Sequence, residues 1–148
     1  MVDVSAKDVT VRTATAAARV LVSPQCVAAL RDGSVPKGDA LAVARIAGVM
    51  AAKRTADLIP LCHPLFLSGV DVTAAVVDSG VELTAIVKTA ERTGVEMEAL
   101  TAVSVAGLAV IDMIKAIDPA AVITDVRVLA KSGGRSGEWR RPEGDKLE

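Results

Sequence analysis

Residues 70–87 read VDVTAAVVDSGVELTAIV, and this stretch decides the class of fold. Apolar and polar side chains alternate on both sides of Asp78-Ser79-Gly80, as they do in half-buried β-strands. Two alternating runs joined by so short a turn segment predict a β-hairpin. The fold therefore contains at least one antiparallel pair of strands.

Helix signals and further strands flank the hairpin. Ser23-Pro24 is typical of a helix start, with serine as the N-cap and proline at the first position, and Asp39 is the expected cap of the next helix. Gly94 precedes a long helical stretch that Asp118-Pro119 ends. The expected elements are a strand at about 9–22, helices at about 24–32 and 40–55, the hairpin, a helix at about 95–117 and a strand at about 122–130.

This order predicts an α+β fold, a ferredoxin-like sandwich with an antiparallel sheet and its helices on one face. The sequence has no internal repeat and no linker, so we expect a single domain over residues 1–148. Within it, residues 132–148 are rich in glycine and polar side chains, which predicts a flexible tail.

The composition excludes several classes of protein. Apolar residues make up 51% of the 148 residues, which excludes an intrinsically disordered chain. Aromatic residues make up 1%, so the stacking platforms of single-stranded nucleic-acid binders are missing. The formal charge is -1, which gives no overall attraction for polyanions. We expect no nucleic acid as a partner.

Cysteine and histidine counts restrict the metal and redox classes. Cys26 and Cys62 are the only cysteines and His63 is the only histidine, too few for a structural zinc site or a disulfide scaffold. The first residues carry acids where a signal peptide needs basic and then apolar residues. No run of about 18 uncharged apolar residues predicts a membrane span, so we expect a cytoplasmic protein without a metal site.

The long helix is apolar on every side. Between Glu98 and Asp112 lie 13 positions without a charge, and the second helix is also apolar on nearly every face, interrupted mainly by Arg45. A helix on a sheet needs only one apolar stripe, so its other sides require a second cover. We expect another subunit to supply it.

Asp112 and Lys115 lie three positions apart and share a helix face. Such a pair is commonly a surface ion pair of small energetic effect. Its place at the end of an apolar stripe predicts partial burial, in which the ammonium would orient a carboxylate for acid–base work. Both interpretations stay open from the residues alone.

His63 stands between Cys62 and Pro64 in a loop before a strand. A lone histidine is commonly satisfied by backbone atoms, but Pro60 and Pro64 fix this loop and would aim the imidazole. Cys62 could act as a nucleophile, although a small buried thiol is the commoner role.

Two lysines have neighbours that suit an anion. Lys37 precedes Gly38 and the Asp39 helix start, and Lys131 precedes the run Ser-Gly-Gly-Arg-Ser-Gly, whose amides could surround a polyphosphate. A flexible loop lysine and a flexible basic tail are the simpler alternatives, because the run matches no standard phosphate-binding motif.

Taken in order, these segments resemble the molybdenum cofactor biosynthesis protein C family, the cyclic pyranopterin monophosphate synthases. The resemblance covers almost the whole chain, and its most specific block is DLIPLCHPL at 57–65. The other matching segments are MVDVSAK at 1–7, KGD at 37–39, ARIAG at 44–48, AAKRT at 51–55, TGVEMEALT at 93–101, DMIKA at 112–116 and LAKSGG at 129–134.

The resemblance implies a hexamer, a trimer of dimers with active sites at the dimer interface, and a reaction. A cyclised dihydro derivative of GTP becomes cyclic pyranopterin monophosphate, and pyrophosphate is released. No cofactor is required, and magnesium with the triphosphate is left open. The implied catalytic residues are Asp112, Lys115, Lys37 and His63. The implied substrate-binding residues are Leu61, Cys62, His63, Glu96, Met97, Glu98 and Lys131.

Glu98 and Asp112 are 14 residues apart, about 21 Å along a helix, too far to contact the same reacting atoms. If long helices of two protomers lie antiparallel, the Glu98 end of one meets the Asp112 end of the other. The rival hypotheses are a non-enzymatic ligand-sensing ferredoxin-like oligomer and a purely structural assembly domain.

Overall fold

The computed structural model of the chain describes residues 1–144. Its elements follow the predicted order, with a short helix and a short strand added. The strands are β1 (Thr10–Leu21), β2 (Leu67–Val77), β3 (Gly80–Glu91), β4 (Val122–Ser132) and β5 (Trp139–Arg140). The helices are α1 (Pro24–Asp32), α2 (Ala40–Ala52), α3 (Thr55–Leu58) and α4 (Glu96–Ile114).

Within residues 1–144 the five strands form one sheet in the spatial order β2-β3-β1-β4-β5, and every neighbouring pair is antiparallel. The helices α2 and α4 pack against each other, α4 lies over the central strands, and α2 lies over β2. The predicted α+β fold with an antiparallel, ferredoxin-like arrangement is confirmed.

The predicted hairpin is present, with β2 and β3 joined by a two-residue turn at Asp78 and Ser79. Val77 pairs with Gly80, whose φ of 146° lies where side chains are strained. A Cβ at Gly80 would stand 1.9 Å from the carbonyl oxygen of Val20 in the adjacent strand. Only glycine therefore fits at this end of the hairpin.

The core lies between the sheet and the helices and is built from small aliphatic side chains. In β1, Ala14, Ala16, Ala18 and Val20 are buried at alternate positions, as a strand with one face on the core requires. Alanines in the central strand let α4 pack close to the sheet. The core contains neither of the two aromatic residues, since Phe66 and Trp139 are both exposed.

Several boundaries differ from the sequence prediction. The second helix ends at Ala52, three residues early, and α3 starts separately at Thr55, whose hydroxyl donates to the Ala51 and Ala52 carbonyls. The Ala51 carbonyl also accepts from the Arg54 amide, so the helix end is closed by backbone and side-chain donors together. The long helix spans Glu96–Ile114 rather than 95–117.

The tail predicted to be flexible from residue 132 starts inside the sheet. Ser132 belongs to β4, and Trp139 of β5 pairs with Lys131. The Arg141 guanidinium lies 5.8 Å from the Trp139 ring centroid and donates to the Val128 carbonyl. Residues 133–138 connect the two strands, and residues 145–148 of the predicted tail lie outside the described residues.

The helix α4 is long and apolar enough to cross a membrane by length and composition alone. However, 56% of its apolar window is buried inside the fold, and its buried residues belong to the core of the sandwich. These properties are those of a core helix, and one such helix is weak support for a membrane span.

Candidate active site

The predicted site residues gather in two places, at opposite ends of α4. At the carboxyl end, Asp112 accepts hydrogen bonds from two ammonium groups, at 2.9 Å from Lys37 Nζ to Oδ2 and 2.7 Å from Lys115 Nζ to Oδ1. Each carboxylate oxygen thus has its own cation. We call these three residues the lysine–aspartate cluster.

Local structure positions each member of this cluster. Lys115 is the residue at which α4 ends, three positions beyond Asp112 and so on the same face. Lys37 lies in the loop before α2, where Gly38 adopts a φ of 107° and Asp39 caps the helix by accepting from the Ala42 amide. The capped start of α2 brings the Lys37 ammonium to the end of α4.

Electrostatics in the lysine–aspartate cluster hold Asp112 ionised. Hydrogen bonds and charge from Lys115 and then Lys37 lower the pKa of Asp112 to about 2. The predicted partial burial is wrong for the single chain, because the Asp112 side chain is 56% exposed. The predicted pairing with Lys115 is confirmed, and Lys37, which only the family resemblance grouped with Asp112, is a second partner.

The second site lies at the amino end of α4, where a loop and the helix start enclose a cavity of about 270 Å³. Pro60 and Pro64 flank the loop residues 61–63, and Gly94 lies two positions before the start of α4. We call this space the loop–helix cavity. Its lining residues are Leu61, Cys62, His63, Leu65, Thr93, Gly94, Glu96, Met97 and Glu98.

Glu98 is the buried acid of the loop–helix cavity, with 4% of its surface exposed. Burial raises the pKa of Glu98, a backbone hydrogen bond partly opposes the rise, and the neighbouring charge of Glu96 adds to it. Burial, followed by the charge of Glu98, also raises the pKa of the Cys62 thiol. Cys62 is therefore held as a neutral thiol, which favours a binding role over a nucleophilic one.

His63 lines the loop–helix cavity and has a backbone partner as well. Its Nε2 atom lies 2.7 Å from the carbonyl oxygen of Val2. Because a carbonyl only accepts, Nε2 donates in this bond. The ring therefore has the backbone partner expected of a lone histidine and also lines the cavity, and its role in the reaction stays a prediction.

Lys131 joins the same end of α4 through an ion pair, with its Nζ 2.9 Å from Glu96 Oε1. A second cavity, of about 200 Å³, lies beside this pair and shares Thr93, Gly94 and Glu96 with the loop–helix cavity. Lys131 and the start of the glycine-rich run line it. Lys7 and Arg12 line it too, and neither was predicted as a site residue from the sequence.

Lys7 and Arg12 lie close to Lys131 only because β1 and β4 are neighbours in the sheet. In the sequence, neither Lys7 nor Arg12 belongs to a motif with a known chemical role. The antiparallel pairing of β1 with β4 places Thr13 opposite Ser132, so Arg12 in β1 and Lys7 just before it share a cavity with the end of β4. A correct pairing of the first and last long strands is the signal that could have found them.

The cations of the two sites are suited to phosphate groups. Lys37 and Lys115 surround one carboxylate, while Lys7, Arg12 and Lys131 share a cavity with the acid Glu96. Within residues 1–144, no three His, Cys, Asp or Glu side chains are grouped so as to hold a metal ion.

The helices α2 and α4 both expose large apolar side chains. The residues on the outer sides of α2 and α4 include Ile46 at 63% exposed, Met50 at 60% and Leu108 at 58%. Large apolar side chains grouped on adjacent helices are typical of a contact surface. The all-round apolar pattern of these helices therefore leaves an uncovered face in the single chain, as expected.

Comparison with known proteins identifies the family. The model of the MoaC family matches residues 1–134. A cyclic pyranopterin monophosphate synthase of Streptomyces griseus is 70% identical over 146 residues, which cover 97% of this chain and 82% of the relative. Cyclic pyranopterin monophosphate synthase 2 of Mycobacterium tuberculosis is 61% identical, over 95% of this chain and 84% of the relative.

A more distant relative extends the comparison. The cyclic pyranopterin monophosphate synthase of Chloroflexus aurantiacus is 55% identical over 144 residues, which cover 96% of this chain and 88% of the relative. The match is continuous through the loop–helix cavity, α4 and β4, so it includes both candidate sites. The chain belongs to the MoaC family.

Proposed function

We propose that the chain is a lyase of molybdenum cofactor biosynthesis that forms cyclic pyranopterin monophosphate. Its substrate is the cyclised dihydro-GTP intermediate, 3',8-cyclo-7,8-dihydro-GTP, and pyrophosphate is the second product. The observation that carries the proposal is 70% identity, over 97% of the chain, to a protein with that synthase name. The geometry of the two sites supplies the groups that the reaction needs.

The lysine–aspartate cluster provides the acid–base chemistry. Rearrangement of the purine-derived rings requires protons to move, and Asp112 is an ionised carboxylate in contact with two proton-bearing ammonium groups. In the proposal Asp112 accepts a proton from substrate, while Lys115 and Lys37 polarise substrate oxygens and donate protons. His63 supplies a further proton-transfer group at the other end of α4.

The loop–helix cavity and its neighbour bind the substrate. Leu61, Cys62 and Met97 provide contact area for the ring system, and Glu98 provides a buried acceptor or donor for its polar edge. Lys131, with Glu96 beside it, faces the cavity rich in cations and binds the phosphates. No resident cofactor takes part in this proposal.

A complete site requires two chains. Glu98 and Asp112 are separated by about 21 Å of α4, so one chain cannot place both on one substrate. An antiparallel contact of α4 with its copy brings the two ends together and covers the apolar surface around Leu108. The proposed assembly is a homohexamer, a trimer of dimers, in the cytoplasm.

The test is conversion of the cyclised substrate. Incubation with 3',8-cyclo-7,8-dihydro-GTP should yield the pterin product, detected by chromatography, together with one equivalent of pyrophosphate. GTP itself, which lacks the cyclised bond, is the control and should remain unchanged. A protein that binds the cyclised substrate without converting it would instead support the ligand-sensing hypothesis.

A further inference from the structure

The hydrogen bond between His63 and Val2 is not required by the proposed reaction. It joins residues 61 positions apart, from Nε2 to a backbone carbonyl oxygen. Whenever the ring is neutral, a proton on Nε2 leaves the lone pair on Nδ1. The bond thus selects one tautomer and one orientation of the only histidine in the chain.

Residues 1–8, which we call the N-terminal segment, have a local shape of their own. The Ser5 amide donates to Asp3 Oδ1 at 2.8 Å, and the Lys7 amide donates to the Val4 carbonyl at 3.0 Å. These bonds shape two consecutive turns. They do not by themselves place the Val2 carbonyl against the imidazole, so another contact must locate the segment.

Arg92 makes that contact. Its Nη1 group donates to the Ser5 carbonyl at 3.2 Å and also to the Lys7 carbonyl. Arg92 lies just after β3 and four positions before α4, and its own carbonyl accepts from Arg12 Nη2 at 3.3 Å. The guanidinium therefore ties the N-terminal segment to the backbone that leads into the loop–helix cavity.

These contacts form one connected series. Arg12 holds the backbone at Arg92, Arg92 holds the segment at Ser5 and Lys7, and the segment presents Val2 to His63. A proton-transfer group needs a ring orientation set by a second partner, because small errors of placement cost large factors in rate. In this chain the second partner is a backbone carbonyl.

We infer that Arg92 is a positioning residue that acts through the N-terminal segment, so that the Val2 carbonyl orients the imidazole of His63 for proton transfer. The inference rests on the proposed function for its effect on turnover. The contact itself is measurable without substrate. The two parts can therefore fail separately.

Nuclear magnetic resonance tests the contact, since a single histidine makes the imidazole signals unambiguous. A proton held on Nε2 by the Val2 carbonyl should give a signal in spectra that select nitrogen-bound protons. Arg92→Ala should lose this signal to exchange with water, whereas Arg92→Lys, which keeps a donor, should retain much of it. Retention of the full signal in Arg92→Ala would overturn the inference.

Two further variants serve as controls for the effect of Arg92→Ala on the imidazole signal. Deletion of residues 2–4 removes the Val2 carbonyl and leaves Arg92 in place, so it should lose the same signal. Arg31→Ala removes another exposed guanidinium, which pairs with Asp78 near the hairpin turn, and should retain the signal. Loss of the signal in Arg31→Ala would show a general effect on the fold and contradict the assignment to Arg92.

Kinetics test whether the contact matters for catalysis. Arg92→Ala should lower kcat by about tenfold and change KM by less than about twofold, and Arg92→Lys should restore most of kcat. In a His63→Ala background, Arg92→Ala should cause no further loss, because the ring it positions is gone. Independent, multiplicative losses would show that Arg92 acts elsewhere and overturn the inference.

A wild-type protein that makes no product would contradict the proposed function instead. In that case the imidazole signal would still decide whether Arg92 and the N-terminal segment hold the ring. Failure of the function and failure of the inference are therefore distinguishable.

Discussion

At the scale of single residues, the two lysines that contact Asp112 lie at very different distances from it along the chain. Lys115 is three positions away, and helix geometry alone predicts their contact. Lys37 lies 75 positions away, and only the packing of the α2 start against the α4 end brings it near. Helix periodicity in the sequence could therefore predict one of the two ion pairs of Asp112, the pair with Lys115.

Replacing Asp112 tests its role as the proton acceptor. Asp112→Asn keeps the size of the side chain but removes its charge and basicity, so turnover should fall by about 10²-fold or more. Single-turnover conversion measures the loss, and calorimetry should show that substrate still binds. Asp78→Asn, at another exposed and paired aspartate, is the control and should keep full turnover.

Near-normal turnover in a folded Asp112→Asn protein would move the proton transfer away from this residue. Lys115 and His63 are the next candidates, and they lie at opposite ends of α4. The same experiment on Lys115→Ala and His63→Ala would then separate them.

Glu98 predicts a pH-dependent change of stability. Burial raises the pKa of Glu98 in the folded protein, so ionisation of this carboxyl destabilises the fold. The penalty grows as the pH rises above the unfolded value of about 4.3 and is complete above the folded pKa. Glu98→Gln should therefore raise Tm at neutral pH, on the order of a few degrees.

The difference in Tm between Glu98→Gln and wild type should disappear below about pH 4, where the carboxyl is protonated in both states. Glu82→Gln, at an exposed acid paired with Arg19, is the control and should change Tm little at neutral pH. A lower Tm for Glu98→Gln at neutral pH would show that the ionised carboxylate has stabilising partners.

At the scale of elements, α4 serves the core and a surface at the same time. Val103, Ala106 and Val110 are buried against the sheet, while Leu108 points away from it and is largely exposed. The helix period separates these positions, so the sequence showed an excess of apolar residues but not which of them lie outside the core.

Leu108→Glu tests the outer side of α4 without touching the core. In a monomer the substitution would be nearly neutral, because Leu108 is 58% exposed. In the proposed assembly it would bury an unpaired charge between subunits, at a cost of several kcal/mol, and should dissociate the oligomer. Sedimentation velocity at micromolar concentration measures the change.

Leu21→Glu is the matched control, since Leu21 is an exposed apolar residue at the end of β1, on a different surface. Its oligomeric state should equal that of the wild type. A wild-type protein that sediments as a monomer would contradict the proposed contact outright.

At the scale of the whole molecule, the residues of the proposed site lie at the two ends of α4. Asp112 and Lys115, the proposed proton-transfer groups, lie at one end, and the loop–helix cavity with His63 and Glu98 lies at the other. A site made from two protomers joins them, and its parts can then be supplied by different chains.

Mixing two inactive proteins tests this division. Asp112→Asn and His63→Ala should each lose activity alone, and chains remixed in equal amounts after dissociation should recover it. Random pairing gives about a quarter of all sites with both residues intact, so recovery of about a quarter of wild-type turnover is expected. A mixture as inactive as its components would place both residues in the same chain's site.

The sequence by itself determined the elements, because their signals are local. Alternation with a short turn predicted the hairpin, Ser23 and Asp39 predicted two helix starts, and the apolar run predicted the length of α4 to within a few residues. The sequence also indicated the family through blocks such as residues 57–65, because a run of consecutive residues can be recognised without knowledge of the structure.

The tertiary structure decided the neighbours. Lys37 beside Asp112, Lys131 beside Glu96, and Val2 beside His63 all join residues that are far apart in sequence. Such contacts depend on strand order and on helix packing, and the periodicity of polar and apolar residues along the sequence specifies neither of them. The short strand β5 was missed for the same reason. Two residues are too few to show an alternating pattern, and these two form a strand only because they pair with β4.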